Sequence, residues 1–296
     1  MIFSDIYNAV ADQVGDTSAD NITRIKRYIN WAQQDICSRD NWDFLMKTTF
    51  VQCTAPYTTG TCYASGTTVT GVDTTWTSAM VGRKIRIGGE SEYYTISAFV
   101  STTELTISQS YMGDYDTLAE ATTYSIYQDI YSLASDVEKV VSMILPSSNN
   151  KLTRISRQEI DSLVPNPQSE GTPVYWTEVG RDSDGYRQIQ LYNIPDDDYV
   201  IYYWYRKQLT DLSETTDVSV IPTAYHKLLY LGGCYQYYDY DQDESAMVYR
   251  AEYENMIEDM RKYYMTESED NFAVLGEFGK ARTLEKVRLD PAHFHN

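Results

Sequence analysis

Three histidines in 296 residues, His226, His293 and His295, leave almost no material for a Ser/His/Asp or Cys/His nucleophile. Cysteine is equally scarce. Cys37, Cys53, Cys62 and Cys234 form no C-x-x-C pair and stand at no zinc-finger spacing to a histidine, which excludes a zinc ribbon or knuckle. Free thiols made in a reducing compartment are expected, with a Cys53–Cys62 bridge across a hairpin as the alternative. No apolar run reaches ~18 residues, and Met1-Ile2-Phe3-Ser4-Asp5 is not a basic region leading into an apolar core, so neither a membrane span nor a secretion signal is expected. Neither G-x-x-x-x-G-K-[ST] nor G-x-G-x-x-G occurs, which removes the common nucleotide cradles. Positive charge is also short. With 24 Lys and Arg against 43 Asp and Glu, the formal charge of −19 makes a surface that repels nucleic-acid phosphates instead of neutralising them.

What the chain has in plenty is tyrosine: 28 residues, against 7 Phe and 5 Trp. A tyrosine ring can be buried against a neighbour while its hydroxyl stays wet, which suits subunit or ligand interfaces as well as strands. The hydrophobic share of 42% and charged share of 23% are those of folded domains, and the length allows about two of them with a sizeable core.

Ile6, Val10 and Val14 recur every fourth residue before Gly15 and predict a helix from Ser4 to Val14. A second is predicted after Ser18 or Asp20, because Ile22, Ile25, Ile29, Ala32 and Ile36 form one stripe that ends near Asn41. A strand from Met46 to Cys53 follows. From Thr54 to about Tyr124 the composition turns to Thr, Ser, Gly, Val and Tyr, in short alternating runs separated by glycine, the pattern of a small all-β module inserted between strands of the main domain. The strand closing the insertion is expected at Tyr124–Tyr127. Ser156 and Glu159 have capping-box spacing and open a short helix through Leu163. Val174–Val179, Gln188–Tyr192 and Tyr199–Arg206 predict an antiparallel meander, with Arg181–Gly185 as a turn between the first two. Pro222 suits the first turn of a helix carrying Tyr225, Leu228, Leu229 and Gly232, and Tyr249, Tyr253, Met256, Met260 and Tyr263 mark a long last helix. The expected fold is α+β: a helical bundle from the N- and C-terminal helices, a central antiparallel sheet, an inserted small all-β module and an extended C-terminal arm. The segments are 1–53, 54–123, 124–265 and 266–296.

The candidate chemistry is thin. Asp239, Asp241 and Asp243 have the D-x-D-x-D spacing of a calcium loop, but Glu244 replaces the turn glycine and Arg250 the bidentate carboxylate, so the run reads as an acidic linker between helices. His293-x-His295 makes a poor metal clip, and no catalytic, metal or cofactor site is assigned. Trp76 with Tyr93 and Tyr94 could stack on sugars or could be core and strand-pairing residues. Between Gly279 and Leu289 the charge reverses, Lys280, Arg282, Lys286 and Arg288 opposing Glu285 alone, whereas Asp182–Asp270 holds nineteen acidic against seven basic residues. The residues Phe278, Lys280, Arg282, Leu284, Arg288 and Phe294 are therefore the candidate partner-binding set, able to order on an acidic neighbour.

The order of parts resembles the head-to-tail adaptor, or tail-tube-A and head-completion, proteins of short-tailed bacteriophages. The resemblance is carried by Ile29-Asn30-Trp31-Ala32-Gln33-Gln34-Asp35-Ile36 running into Trp42-Asp43-Phe44-Leu45, and by Gly66-Thr67-Thr68-Val69-Thr70-Gly71 with Trp76 and Val81-Gly82-Arg83-Lys84-Ile85-Arg86-Ile87. Leu191-Tyr192-Asn193-Ile194-Pro195 and Ile221-Pro222 extend it towards the last helices. It implies a virion protein, assembled in the host cytoplasm and not an enzyme. It further implies a ring of about a dozen copies under the portal protein, with further tail or nozzle proteins below, DNA passing through without specific binding, and no membrane partner. The alternatives are a sugar-binding virion or surface module and a cell-wall hydrolase.

Overall fold

The computed structural model describes residues 1–163 and 169–265. The chain is α+β and divides into two units, one formed by Met1–Met46 with the residues from Leu209 on, the other by Lys47–Gln208.

In the first unit, α1 (Phe3–Val14) and α2 (Ala19–Arg39) pack with α4 (Lys227–Tyr240) and α5 (Ser245–Tyr264). Gly15 ends α1 in the left-handed region at φ 79°, and its N–H donates to the Ala11 carbonyl at 2.9 Å. The expected stripe of α2 is the buried one: Ile25, Ile29, Ala32 and Ile36 are wholly enclosed, while Ile22 is half-buried at its end. Helix α4 has no polar face over most of its length, because α1, α2 and α5 all pack against it. Its Gly232 lets α2 come close, since a Cβ there would lie 2.5 Å from that of Ala32. The helix predicted from Pro222 begins as a 3-10 turn at Thr223–Tyr225 before α4. Trp42 is fully buried and donates its indole N–H to the Ile36 carbonyl at 2.7 Å, and its backbone bridges to Met265.

The second unit contains two sheets. The strands are β1 (Met46–Gln52), β2 (Thr61–Ser65), β3 (Thr68–Val72), β4 (Lys84–Ile87), β5 (Tyr94–Ser101), β6 (Glu104–Ile107), β7 (Tyr124–Tyr127), β8 (Ile130–Ser132), β9 (Val137–Leu145), β10 (Asn150–Arg154), β11 (Tyr175–Arg181), β12 (Arg187–Tyr192) and β13 (Val200–Lys207). The seven-stranded sheet runs β1-β13-β9-β10-β11-β12-β8, and the six-stranded sheet β2-β3-β6-β5-β4-β7. Helix α3 (Arg157–Leu163) opens where the capping signal stands, with the Glu159 N–H donating to Ser156 Oγ at 3.2 Å.

Three sequence expectations are corrected. Strand β7 pairs with β4 inside the six-stranded sheet and does not return to the main one. The physical reason is its side chains: Tyr124 and Ile126 fill the core of that sheet, and the Tyr124 hydroxyl accepts the Trp76 indole N–H at 2.9 Å. The large sheet is not wholly antiparallel, because β10 and β11 pair in parallel, across a connection long enough to carry α3. The meander also fails at its last strand. Strand β12 pairs with β11 and β8, whereas β13 crosses to lie between β1 and β9. All four cysteines are buried and none forms a disulfide, so the Cys53–Cys62 alternative falls. Cys53 belongs to the core of the larger sheet and Cys62 to that of the smaller.

Candidate interaction surface

Strand β13 begins Val-Ile-Tyr-Tyr-Trp-Tyr, apolar or aromatic at its first six positions, and such a run ordinarily belongs to a strand covered on both sides. Here only one side is covered. Ile201, Tyr203 and Tyr205 point into the core, while Val200, Tyr202 and Trp204 remain about 40% exposed on the other face (39%, 40% and 42%). Neighbouring strands extend that face. Tyr202 stands opposite Ile144 of β9, Ile144 stands opposite Lys151 of β10, and the Phe50 ring of β1 lies 5.9 Å from that of Tyr202. A row Phe50–Tyr202–Ile144 thus crosses three strands, with Trp204 and Val141 beside it. Scattered exposed apolar residues are ordinary, but a contiguous aromatic row marks a surface that meets something.

The same strands are basic. Between them β1, β9, β10 and β13 hold six Lys or Arg and one Glu. Some of this charge is used locally. Lys47 reaches Asp136 at 3.3 Å, Arg206 reaches Glu138 at 3.0 Å, and Arg154 reaches Glu178 at 2.9 Å. Burial works to raise the Asp136 pKa, but the Tyr205 hydroxyl, donating at 2.8 Å, and the Lys47 ammonium outweigh it, so the carboxyl sits below its ordinary value. Lys139 and Lys151 have no ion-pair partner among the described residues.

The first unit presents the opposite character. Its described residues hold eight Lys or Arg and eighteen Asp or Glu. The turn between α4 and α5 gathers Asp239, Asp241, Asp243 and Glu244 around three exposed apolar side chains, Tyr240, Met247 and Val248. Asp243 is partly occupied: the Ser245 side chain and its N–H, the latter donating to Oδ1 at 2.7 Å, hold its pKa low. On another side of these helices Trp31, Tyr235 and Arg250 edge a cleft of about 340 Å³, where Arg39 is clamped between Asp35 at 2.7 Å and Glu254 at 2.5 Å. That clamp ties α2 to α5.

Reactive groups are accounted for differently. His226 is buried, its Nε2 lies 2.9 Å from the Ile221 carbonyl oxygen, and burial lowers its pKa, so the ring is a neutral core group out of reach of a substrate. Asp239, Asp241 and Asp243 build no metal site. Among the described residues no group of three or more His, Cys, Asp or Glu is placed to hold a metal ion. Trp76 and Tyr94 are core residues and cannot serve as sugar-stacking platforms, and of that set only Tyr93 is exposed. No helix is long and apolar enough to cross a membrane, among the described residues. Phe278, Lys280, Arg282, Leu284, Arg288 and Phe294 lie outside the described residues.

The residues that sequence reasoning did not single out are Phe50, Ile144, Tyr202 and Trp204. Their signal was the excess of aromatic residues on β13. It did not separate the inward from the outward side, because both sides are apolar.

No curated protein matches the chain. The profile of the SU10 adaptor protein family matches residues 90–274, a stretch that contains β9, β10, β13 and the α4–α5 turn but not β1 with Phe50. With more than half of its length matched, the chain belongs to the SU10 adaptor protein family, structural adaptors of bacteriophage particles.

Proposed function

We infer that the chain forms a ring between the portal and the tail of a phage particle, with DNA passing through its centre. The observation that carries this reading is the Phe50–Tyr202–Ile144 row, an aromatic face left open on a sheet whose other side is fully packed. An adaptor must meet its own copies and at least two other proteins, and Tyr- and Trp-rich faces give such contacts area at low entropic cost. The charge of −19 supports the conduit part of the reading, because a lumen lined by such a chain would not trap a genome.

In this reading the helices of the first unit form the bundle that carries the ring. The six-stranded sheet is an inserted module for tail or nozzle proteins, its boundary extended through β7. The segment 266–296 supplies the portal contact, through Phe278, Lys280, Arg282, Leu284, Arg288 and Phe294. The ring closes by cyclic symmetry, and the resemblance implies about a dozen copies.

Mixing the purified chain with the assembled portal of the same phage tests the reading. A complex of portal and multiple adaptor copies, resolved by native mass spectrometry, is expected. Separate migration of the two proteins at every ratio and salt concentration would contradict it.

A further inference from the structure

Two surfaces of the chain are complementary in charge and alike in apolar content. The first is the outer face of β1, β13, β9 and β10, where Lys139 and Lys151, with Arg206 paired to Glu138, border an open aromatic row. The second is the α4–α5 turn, where four carboxylates stand around Tyr240, Met247 and Val248, exposed by 66%, 80% and 60%.

We propose that these two surfaces meet between neighbouring copies, the α4–α5 turn of one subunit docking on the sheet face of the next. The proposal rests on the ring reading above and names the contact that builds it. The apolar side chains supply the centre: Tyr240 and Met247 cover Tyr202 and Ile144, removing both sets from water. Carboxylates of the turn reach the unpartnered Lys139 and Lys151 at the rim, where ion pairs add little strength but select partner and register. Neither surface can pair with itself. Two sheet faces would oppose cation to cation, and two turns would oppose carboxylate to carboxylate, so a two-fold dimer is disfavoured on both. The contact is therefore heterologous, the kind that propagates head to tail and closes into a ring when the rotation permits. A second copy fits the basic face better than DNA does, because its centre is apolar and the chain around it carries −19.

The test places cysteines at the two centres in assembled particles: Ile144→Cys, Met247→Cys, and both in one chain. The native cysteines are buried, so background reaction with a bismaleimide is low. The double variant is expected to give a ladder of covalent multimers, each single variant none, and a mixture of the two singles dimers only. Lys139→Glu with Lys151→Glu should weaken the ladder at least tenfold, and adding Asp241→Lys with Glu244→Lys should restore it. Should Ile144→Cys disturb the fold, as judged by melting, Val141→Cys, exposed beside the row, takes its place. Dimers from the sheet-face cysteine alone would mean a two-fold contact and overturn the proposal. Rings visible in the particle without any cross-link would overturn the contact and leave the ring reading standing, whereas absence of a ring would overturn both. Ultraviolet cross-links from this face to packaged DNA would assign it to nucleic acid and overturn the proposal as well.

Discussion

Lys84 of β4, in the six-stranded sheet, donates to Asp129 Oδ2 at 2.7 Å, and the same oxygen accepts from Gln190 of β12, in the seven-stranded sheet, at 2.6 Å. Asp129 is 3% exposed and its backbone carbonyl also accepts the Leu191 N–H at 2.8 Å, so one buried carboxylate joins the two sheets. Arg157 of α3 continues the chain by donating to the Gln190 side-chain oxygen.

Breaking this pair from one side leaves a buried charge without a partner. Asp129→Ala is expected to cost about 3–5 kcal/mol, whereas Lys84→Met with Asp129→Leu should cost much less, because no charge is then stranded. Urea unfolding followed by tryptophan fluorescence measures both. A single variant within about 0.5 kcal/mol of the parent would show that the pair is not desolvated as described.

Gly232→Ala should destabilise the helices even though alanine is the better helix former. The propensity gain is at most about 1 kcal/mol, while forcing a methyl to 2.5 Å from the Ala32 Cβ is overpacking worth about 1–3 kcal/mol. Combining it with Ala32→Gly should recover part of the loss in thermal melting. A Gly232→Ala chain more stable than the parent would mean that α2 and α4 lie further apart than described.

The buried thiols give the fold an alkaline limit. Burial raises Cys53 and Cys62 to about 12 and Cys234 to about 11, from an ordinary 9.0. A raised pKa means that the folded chain holds its proton more tightly than the unfolded chain. This contribution is complete below pH 9 and is lost as pH climbs from 9 through about 12. Buried tyrosines such as Tyr131 and Tyr253, also shifted upward by burial, steepen the same loss. Ellipticity should hold to about pH 9 and fall above it, and the native chain at pH 8 should resist a thiol reagent that labels it fully in urea. Rapid labelling of all four cysteines without denaturant would contradict this burial.

Removing the residues after Glu269 should leave a folded subunit, because the bridge from Met265 to Trp42 and the whole of α5 are retained. Occupancy on portal complexes should fall severalfold if Phe278, Lys280, Arg282, Leu284, Arg288 and Phe294 make the portal contact. Unchanged occupancy would leave that segment without the role proposed for it.

The helices were legible because their periods carry the information. The Ile25–Ile36 stripe, the glycine after α1 and the Ser156 cap act within a few residues, and local physics decides them. Sheet order was not legible in the same way. Nothing in the composition of Tyr124–Tyr127 says that its partner is β4, because pairing is settled by which core receives Tyr124 and Ile126. The interaction surface stood between these cases. The abundance of tyrosine pointed to interfaces, but the outward set Tyr202 and Trp204 could be told from the inward set Tyr203 and Tyr205 only once one face of the sheet was seen to be packed and the other open.

The central claim is that the chain is a ring adaptor at the portal vertex, and an electron cryo-microscopy map of the portal–tail junction of the intact particle tests it most directly. The account predicts a single ring between portal and tail into which the helices α1, α2, α4 and α5 and the two sheets fit, with DNA density running through the centre. A junction in which portal and tail proteins meet with no density for this chain, or a map that places it on the capsid shell or on receptor-binding fibres, would contradict the account.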